Sequence, residues 1–250
     1  MTLGLEFPPI SHLIVWGTGP GGVNKVAVIY MFAAFMTLLI FVVGGAKQKL
    51  VPSGLQNIAE VGVDFVRNQV VMQTMGVDGL RFLPYLTCLF FFIFFSNITE
   101  VIPFVQFPAN SRMAMPMVFA LITWVLYNAV GVVKQGPIHY LKNSTVPPGV
   151  PKAILPLVFI IEIVSHFLVK PFSLAVRLFA NMLAGHLILV TFGVICASTW
   201  ALAPSIVITP FSFLMLVAMT GFEVLVGFLQ AFIFTILTAV YIGSTLHPEH

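Results

Sequence analysis

The sequence predicts an all-α integral membrane protein, and three observations carry that reading. Of the 250 residues, 59% are hydrophobic and only 8% charged, where a soluble domain carries about 25% charge. The apolar residues fall in runs long enough to cross a bilayer, separated by short polar loops, so one helical membrane domain over 1–250 is expected. One of these runs holds Arg177 in its middle, within Ser173-Leu174-Ala175-Val176-Arg177-Leu178-Phe179-Ala180-Asn181.

Residues 1–24 hold Glu6, His12 and several prolines and glycines without a basic leader region, and read as a short external segment. The first span is expected over 25–46, closed by Gly44-Gly45 and then by Lys47 and Lys49. From about 52 to 76 the pattern changes. Leu55, Ile58, Ala59, Phe65, Val66 and Val70 alternate at helical spacing with Gln56, Glu60, Asp64, Arg67 and Gln69, which suits an amphipathic helix lying on the membrane or on partners. Spans two and three are expected over about 82–103 and 113–133, joined by a loop with Pro108 and Asn110. A loop over 134–152 with Pro147-Pro148-Gly149 follows.

Two apolar stretches, about 153–199 and 205–246, fill the last third and would each extend roughly 63 to 70 Å as a helix, twice the hydrocarbon thickness. Loop charge decides how they cross. Lys47, Lys49, Arg67 and Arg81 precede the second span and Lys134, Lys142 and Lys152 follow the third, while the loop between has only Arg112 beside Glu100. The positive-inside rule then puts the N-terminus outside, and five crossings put His247, Glu249 and His250 in the cytoplasm. Each long stretch is therefore expected as one tilted helix, the two forming an antiparallel hairpin about Ala203-Pro204. Pro171 is expected to kink its helix, not end it.

A guanidinium stays charged at every accessible pH, and at bilayer depth it costs about 3 kcal/mol on insertion scales, so it persists only where a partner or water is supplied. Arg177 lies 15 residues from Glu162 and 23 from Trp200, too deep to reach the headgroups easily. The other polar groups of the long stretches are also ordered. Glu162, His166, Ser173, Arg177 and Asn181 stay within a sector of about 100°, while Glu223, Gln230, Phe234 and Tyr241 form a nearly straight stripe. Equal rise along the hairpin sets His186 level with Glu223, and Arg177 level with Gln230. A carboxylate facing an imidazole inside a bilayer can hand on protons, because their pKa values straddle neutrality. His186 stands about 180° around from Arg177, so both pairs cannot be direct contacts between straight helices.

The segments Arg177-Leu178-Phe179-Ala180-Asn181, Ala184-Gly185-His186, Gln230-Ala231-Phe232-Ile233-Phe234 with Leu237-Thr238 and Tyr241, and Ser96-Asn97 together resemble the subunit a family of F-type ATP synthases. The resemblance runs from Lys25 onward. It implies a proton-translocating stator subunit with no catalytic site of its own, working against a ring of c subunits beside the peripheral-stalk b subunits in a bacterial plasma membrane, with a mitochondrial inner membrane the lesser alternative. It implies that Arg177 is the essential arginine facing the ring carboxylates, that Asn181, His186, Glu223 and Gln230 belong to the outer half-channel, and that Glu162 lies near the cytoplasmic outlet. Ser173, His166 and Tyr241 are further candidates. Many members carry an acid where Asn110-Ser111-Arg112 stands, so no access-channel carboxylate is expected in that loop.

Other readings are weaker. Asn181 and Gln230 could serve as ordinary interhelical hydrogen-bonding groups, and Lys170 reads as a snorkelling residue. Cys88 and Cys196 lie in apolar runs at no metal or disulfide spacing, and neither a metal nor a cofactor is expected. The eleven basic residues are scattered, which argues against nucleic acid. A secondary transporter using Arg177 to bind an anion would show an internal repeat or paired broken helices, and a membrane scaffold would not explain the arginine.

Overall fold

The structure, a computed structural model, describes residues 25–46, 51–52, 54–102, 107–145, 154–201 and 209–246. The N-terminal segment with His12, the lysines Lys47, Lys49 and Lys152, the Pro147-Pro148-Gly149 loop, the Ala203-Pro204 turn and the tail His247, Glu249 and His250 lie outside the described residues.

Helix α1, Lys25–Ala46, has the expected bounds. Val26, Ile29, Tyr30, Ala33 and Thr37 are buried along one face, while Met31, Phe35, Leu38 and Val42 stay exposed, the distribution of a span with lipid on most sides. Helix α2, Leu55–Val66, begins after Gly54, whose φ of 61° is in the left-handed region that glycine adopts without strain. The α2 stretch continues through a π-helical turn, Arg67–Val71, and Met72–Thr74, close to the expected limits.

A 3₁₀ segment, Gly76–Phe82, leads into α3, Leu83–Ile98. The expected second span ran to 103, but the helix stops at Ile98. Ser96 Oγ donates to the Ile93 carbonyl and Thr99 Oγ1 to the Ser96 carbonyl, and the chain turns with Glu100 N on Asn97 O and Val101 N on Ile98 O. Hydroxyls that bond their own backbone offer an alternative to the helical ladder, and hydropathy is blind to that competition.

Helix α4, Ala114–Gln135, ends at Gly136, φ 80°, and α5, Pro137–Thr145, follows at once. This region was expected as loop. Proline at the first helical position after a C-terminal glycine favours a new helix, and the Tyr140 ring packs where a Cβ on Gly131 would stand, so α5 is held against α4.

The two long stretches are each continuous. Helix α6, Leu155–Val164, passes through a π-helical turn, Ser165–Val169, into α7, Lys170–Ala201, and α8 is Thr209–Leu246. Pro171 lacks the N–H of a regular turn, and the wide turn just before it absorbs the defect without ending the helix. Among the described residues there is no strand, and five helical stretches are long and apolar enough to cross a membrane.

The chain forms two compact units, each drawn from three stretches of sequence. The first comprises 1–37, 91–112 and 179–231, the second 38–90, 113–178 and 232–250. Ile93, Phe107, Ala109, Met182 and Ala231 are buried in the first. Val66, Leu86, Tyr127, Leu174, Leu178, Phe234 and Ile242 are buried in the second, where Phe65 lies 5.6 Å from the rings of both Phe90 and Phe232.

Candidate functional site

In the first unit, α7 and α8 run antiparallel. Asn181 Nδ2 donates to Gln230 Oε1 at 2.7 Å, Glu223 lies against Gly185, and Thr209 Oγ1 donates to Thr199 Oγ1 at 3.1 Å. The expected register therefore holds for His186 and Glu223 to within a residue. Their contact does not follow. The Glu223 carboxylate occupies the place where a Cβ on Gly185 would stand, and His186 Nδ1 instead faces Glu100 Oε1 at 3.3 Å.

Glu100 comes from the turn after α3 and is 1% exposed; His186 and Glu223 are 7% and 6% exposed. Burial pushes the Glu100 carboxyl above its ordinary range, and the His186 imidazole pulls it part of the way back. The Glu100 charge also acts on Glu223, so three titratable side chains share one buried neighbourhood.

A ladder of neutral polar groups adjoins them. Tyr30 Oη donates to Asn110 Oδ1 at 2.6 Å, Asn110 Nδ2 reaches Ser96 Oγ at 3.0 Å and Asn97 Oδ1 at 2.7 Å, and Asn97 Nδ2 donates to the Gly227 carbonyl at 3.1 Å. The Asn110 loop thus carries buried amide and hydroxyl groups without an acid, and the carboxylates among the described residues of this unit are Glu100 and Glu223. Gln230 Nε2 and Glu100 Oε2 are buried with no hydrogen-bond partner among the described residues, and the contact of Glu100 Oε1 is the one with His186.

The second unit holds a different cluster. His166 is buried in the π-helical turn, its backbone carbonyl accepts from Tyr127 Oη at 3.0 Å, and Tyr140 Oη lies 2.9 Å from its Nε2. Tyr140 also donates to Asn128 Oδ1 at 3.0 Å, and that oxygen is 3.2 Å from His166 Nε2. Burial pushes the Tyr140 phenol up to about 12, so it remains a neutral O–H donor. Lys170 Nζ is 3.3 Å from His166 Nδ1. An ammonium has no acceptor, so Nδ1 carries the lone pair there and Nε2 the proton. Lys170 Nζ also lies 5.5 Å from the centroid of the Tyr241 ring, so this lysine turns inward, contrary to the snorkelling expected of it.

Arg177 and Tyr241 belong to the same unit, and the guanidinium charge acts on the Tyr241 hydroxyl. Arg177 is half-buried and forms no ion pair among the described residues. Its level partner was expected to be Gln230, whose carbonyl oxygen is taken by Asn181. Glu162 is half-buried one turn before the π-helical turn, its charge acting on Lys170, and Ser173 is half-buried on α7.

Sequence reasoning missed Glu100 and the group formed by Tyr140 and Asn128. Glu100 had been read only as a loop charge beside Arg112. Its signal was an unneutralised acid within two residues of an apolar run, flanked by Ser96, Asn97 and Thr99. Among the described residues no group of three or more His, Cys, Asp or Glu could hold a metal ion.

Five membrane-length helices among the described residues, with His166, His186 and Glu223 buried on the two longest, define a polytopic α-helical membrane protein. Residues 26–243 match the ATP synthase A chain family. The chain is 43% identical to ATP synthase subunit a of Frankia alni over 229 residues, 91% of this chain and 79% of that protein. It is 39% identical to ATP synthase subunit a of Rhodococcus erythropolis over 256 residues (98% and 89%), and 40% identical to that of Rhodopseudomonas palustris over 225 residues (88% and 87%). The chain belongs to the ATP synthase A chain family.

Proposed function

We propose that this chain is the proton-translocating stator subunit of a rotary F-type ATP synthase, working in a bacterial plasma membrane against a ring of c subunits and beside the peripheral-stalk b subunits. It brings no catalytic site for ATP chemistry. Its task is to move protons to and from ring carboxylates and to prevent them from leaking straight across. The whole chain acts as one membrane domain, with the N-terminus outside and the C-terminus cytoplasmic as the loop charges suggest.

The observation that carries this reading is Arg177, a permanent charge half-buried in a membrane-length helix with no acid of its own among the described residues. Such a charge is tolerated where another subunit supplies the counter-ion. A ring carboxylate fits: in lipid it must travel protonated, and it ionises only where a fixed cation and water stabilise the anion. The same cation opposes the passage of a free proton.

Glu100, His186 and Glu223 support an outer half-channel. Each can gain or lose a proton, and Asn181, Gln230, Asn97, Asn110 and Tyr30 supply amide and hydroxyl groups that can order water between them. The buried Gln230 Nε2 and Glu100 Oε2, without hydrogen-bond partners among the described residues, fit the same picture, since polar atoms at such depth are ordinarily hydrogen-bonded. Glu162, with Ser173 and His166 nearby in sequence, is assigned to the cytoplasmic side, and Tyr241 to the surroundings of Arg177.

Arg177→Ala tests the reading. ATP-driven proton pumping and proton-driven ATP synthesis in membrane vesicles should both be lost while the assembled complex remains detectable. Arg177→Lys should fail as well, because a compact ammonium lacks the planar fork and can lose its charge when buried. Normal coupling in assembled Arg177→Ala complexes overturns the assignment.

A further inference from the structure

The last turns of α4 carry Ala129, Val130, Val133 and Lys134 at spacings that put them on one face, and the 3₁₀ segment before α3 contributes Arg81 and Phe82. Together these six residues line an open cleft of about 350 Å³ in the second unit. Its floor is small and apolar, and among the described residues its charges are cationic. Arg81 is exposed, with its guanidinium 5.1 Å from the centroid of the Phe82 ring, and forms no ion pair among the described residues. Lys134 donates one N–H to the Leu246 carbonyl at 2.6 Å, which leaves two further donors on the ammonium. Both cations stand at ends of membrane-length stretches, Gly76–Ile98 and Ala114–Gln135, the depth at which lipid headgroups begin.

We propose that this cleft binds an anionic phospholipid, with the phosphodiester between Arg81 and Lys134 and the first part of an acyl chain over Ala129, Val130 and Val133. The volume suits a phosphate with its glycerol and the start of a chain, while the rest of the lipid stays in the bilayer. Among the described residues no carboxylate lines the cleft, so a zwitterionic lipid would bring an ammonium that none of them receives. A soluble phosphate would meet the two cations and leave the apolar floor bare. A lipid with net negative charge satisfies both parts, and basic clefts between membrane helices at the headgroup level recognise such lipids. The site uses none of the groups assigned to the proton path, so it stands or fails separately from that assignment.

The test uses the full chain in its assembled complex, reconstituted in phosphatidylcholine vesicles containing a photoactivatable phosphatidylglycerol whose reactive group is near the glycerol. After illumination, mass spectrometry should place label on residues 129–134. Arg81→Gln, at an exposed side chain, should lower that labelling about fivefold, the effect of one basic residue at an anionic surface. Arg81→Gln with Lys134→Gln should lower it further, Arg81→Lys should retain most of it, and Lys142→Gln, an exposed cation outside the cleft, should leave it unchanged. The proposal is overturned if both glutamine variants label like the parent, or if a phosphatidylcholine probe labels the same residues equally. Loss of labelling on adding millimolar inorganic phosphate also overturns it and marks a free-anion site instead.

Discussion

Gly185→Ala is the sharpest probe of the buried acid on α8. A Cβ at this position meets three atoms of the Glu223 carboxylate, which must retreat by roughly an ångström to reach an ordinary contact distance of about 3.5 Å. The obstacle is the far end of a flexible side chain, so the backbone need not move. Leaving its rotamer well costs the carboxylate about 0.5–1.5 kcal/mol. If that cost falls on the step in which Glu223 passes a proton, flux through vesicles at fixed potential should drop about two- to twelvefold. Gly193→Ala on the same helix is the control: a Cβ there meets nothing within 4 Å, and helix propensity should improve by up to about 1 kcal/mol. Adding Gly185→Ala to Glu223→Gln should give no loss beyond Glu223→Gln itself, because the alanine acts only through that carboxylate. Equal flux in Gly185→Ala and Gly193→Ala, or losses that multiply in the double variant, refute the reasoning.

Glu100→Gln should slow flux at least tenfold, and combining it with His186→Ala should add little, since the two face each other at 3.3 Å; proton uptake by reconstituted vesicles measures both. The Glu100 carboxyl is raised by burial, so it keeps its proton to higher external pH than an ordinary carboxyl and its donor form is lost as pH rises through that raised value. The parent should therefore show a limb of falling flux above the usual carboxylate range that Glu100→Gln lacks; identical profiles refute the role. Tyr140→Phe removes the hydroxyl that donates to Asn128 and faces His166 Nε2 and should cost about 1 kcal/mol, read as roughly fivefold faster hydrogen exchange in 137–145, and unchanged protection there refutes the docking of α5.

Where hydropathy and length decide, the sequence was enough. The bounds of α1, the continuity of the long stretches and the five membrane-length helices among the described residues follow from apolar runs and from the scarcity of breakers inside them, Pro171 in one long stretch and Pro210 or Gly221 in the other. Equal rise along antiparallel helices brought His186 level with Glu223 to within a residue. Azimuth and side-chain partners were less legible. That His186 turns to Glu100 depends on where α3 ends, and α3 ends where Ser96 and Thr99 bond their own backbone, a local competition invisible to a hydropathy window. Lys170 was expected to reach for headgroups because its sequence neighbours are apolar, but His166 Nδ1 supplies an acceptor and the Tyr241 ring a π-face. Nor does a count at 3.6 residues per turn register a wide turn.

That wide turn, Ser165–Val169, sets an angle. On an uninterrupted α-helix Glu162 would stand about 60° to one side of Arg177, whereas the one additional residue accommodated by a π-helical turn carries it to about 40° on the other. In a rotary machine an azimuth on the stator is a phase of the cycle. If Glu162 receives protons released near Arg177, this one residue fixes how far the rotor travels between losing a proton and delivering it. Deleting a single residue here would leave hydropathy, charge and span number as they are, yet swing the acid by roughly 100° relative to the arginine. Single-residue length differences at this turn thus offer a way to advance or delay proton release without changing any chemical group.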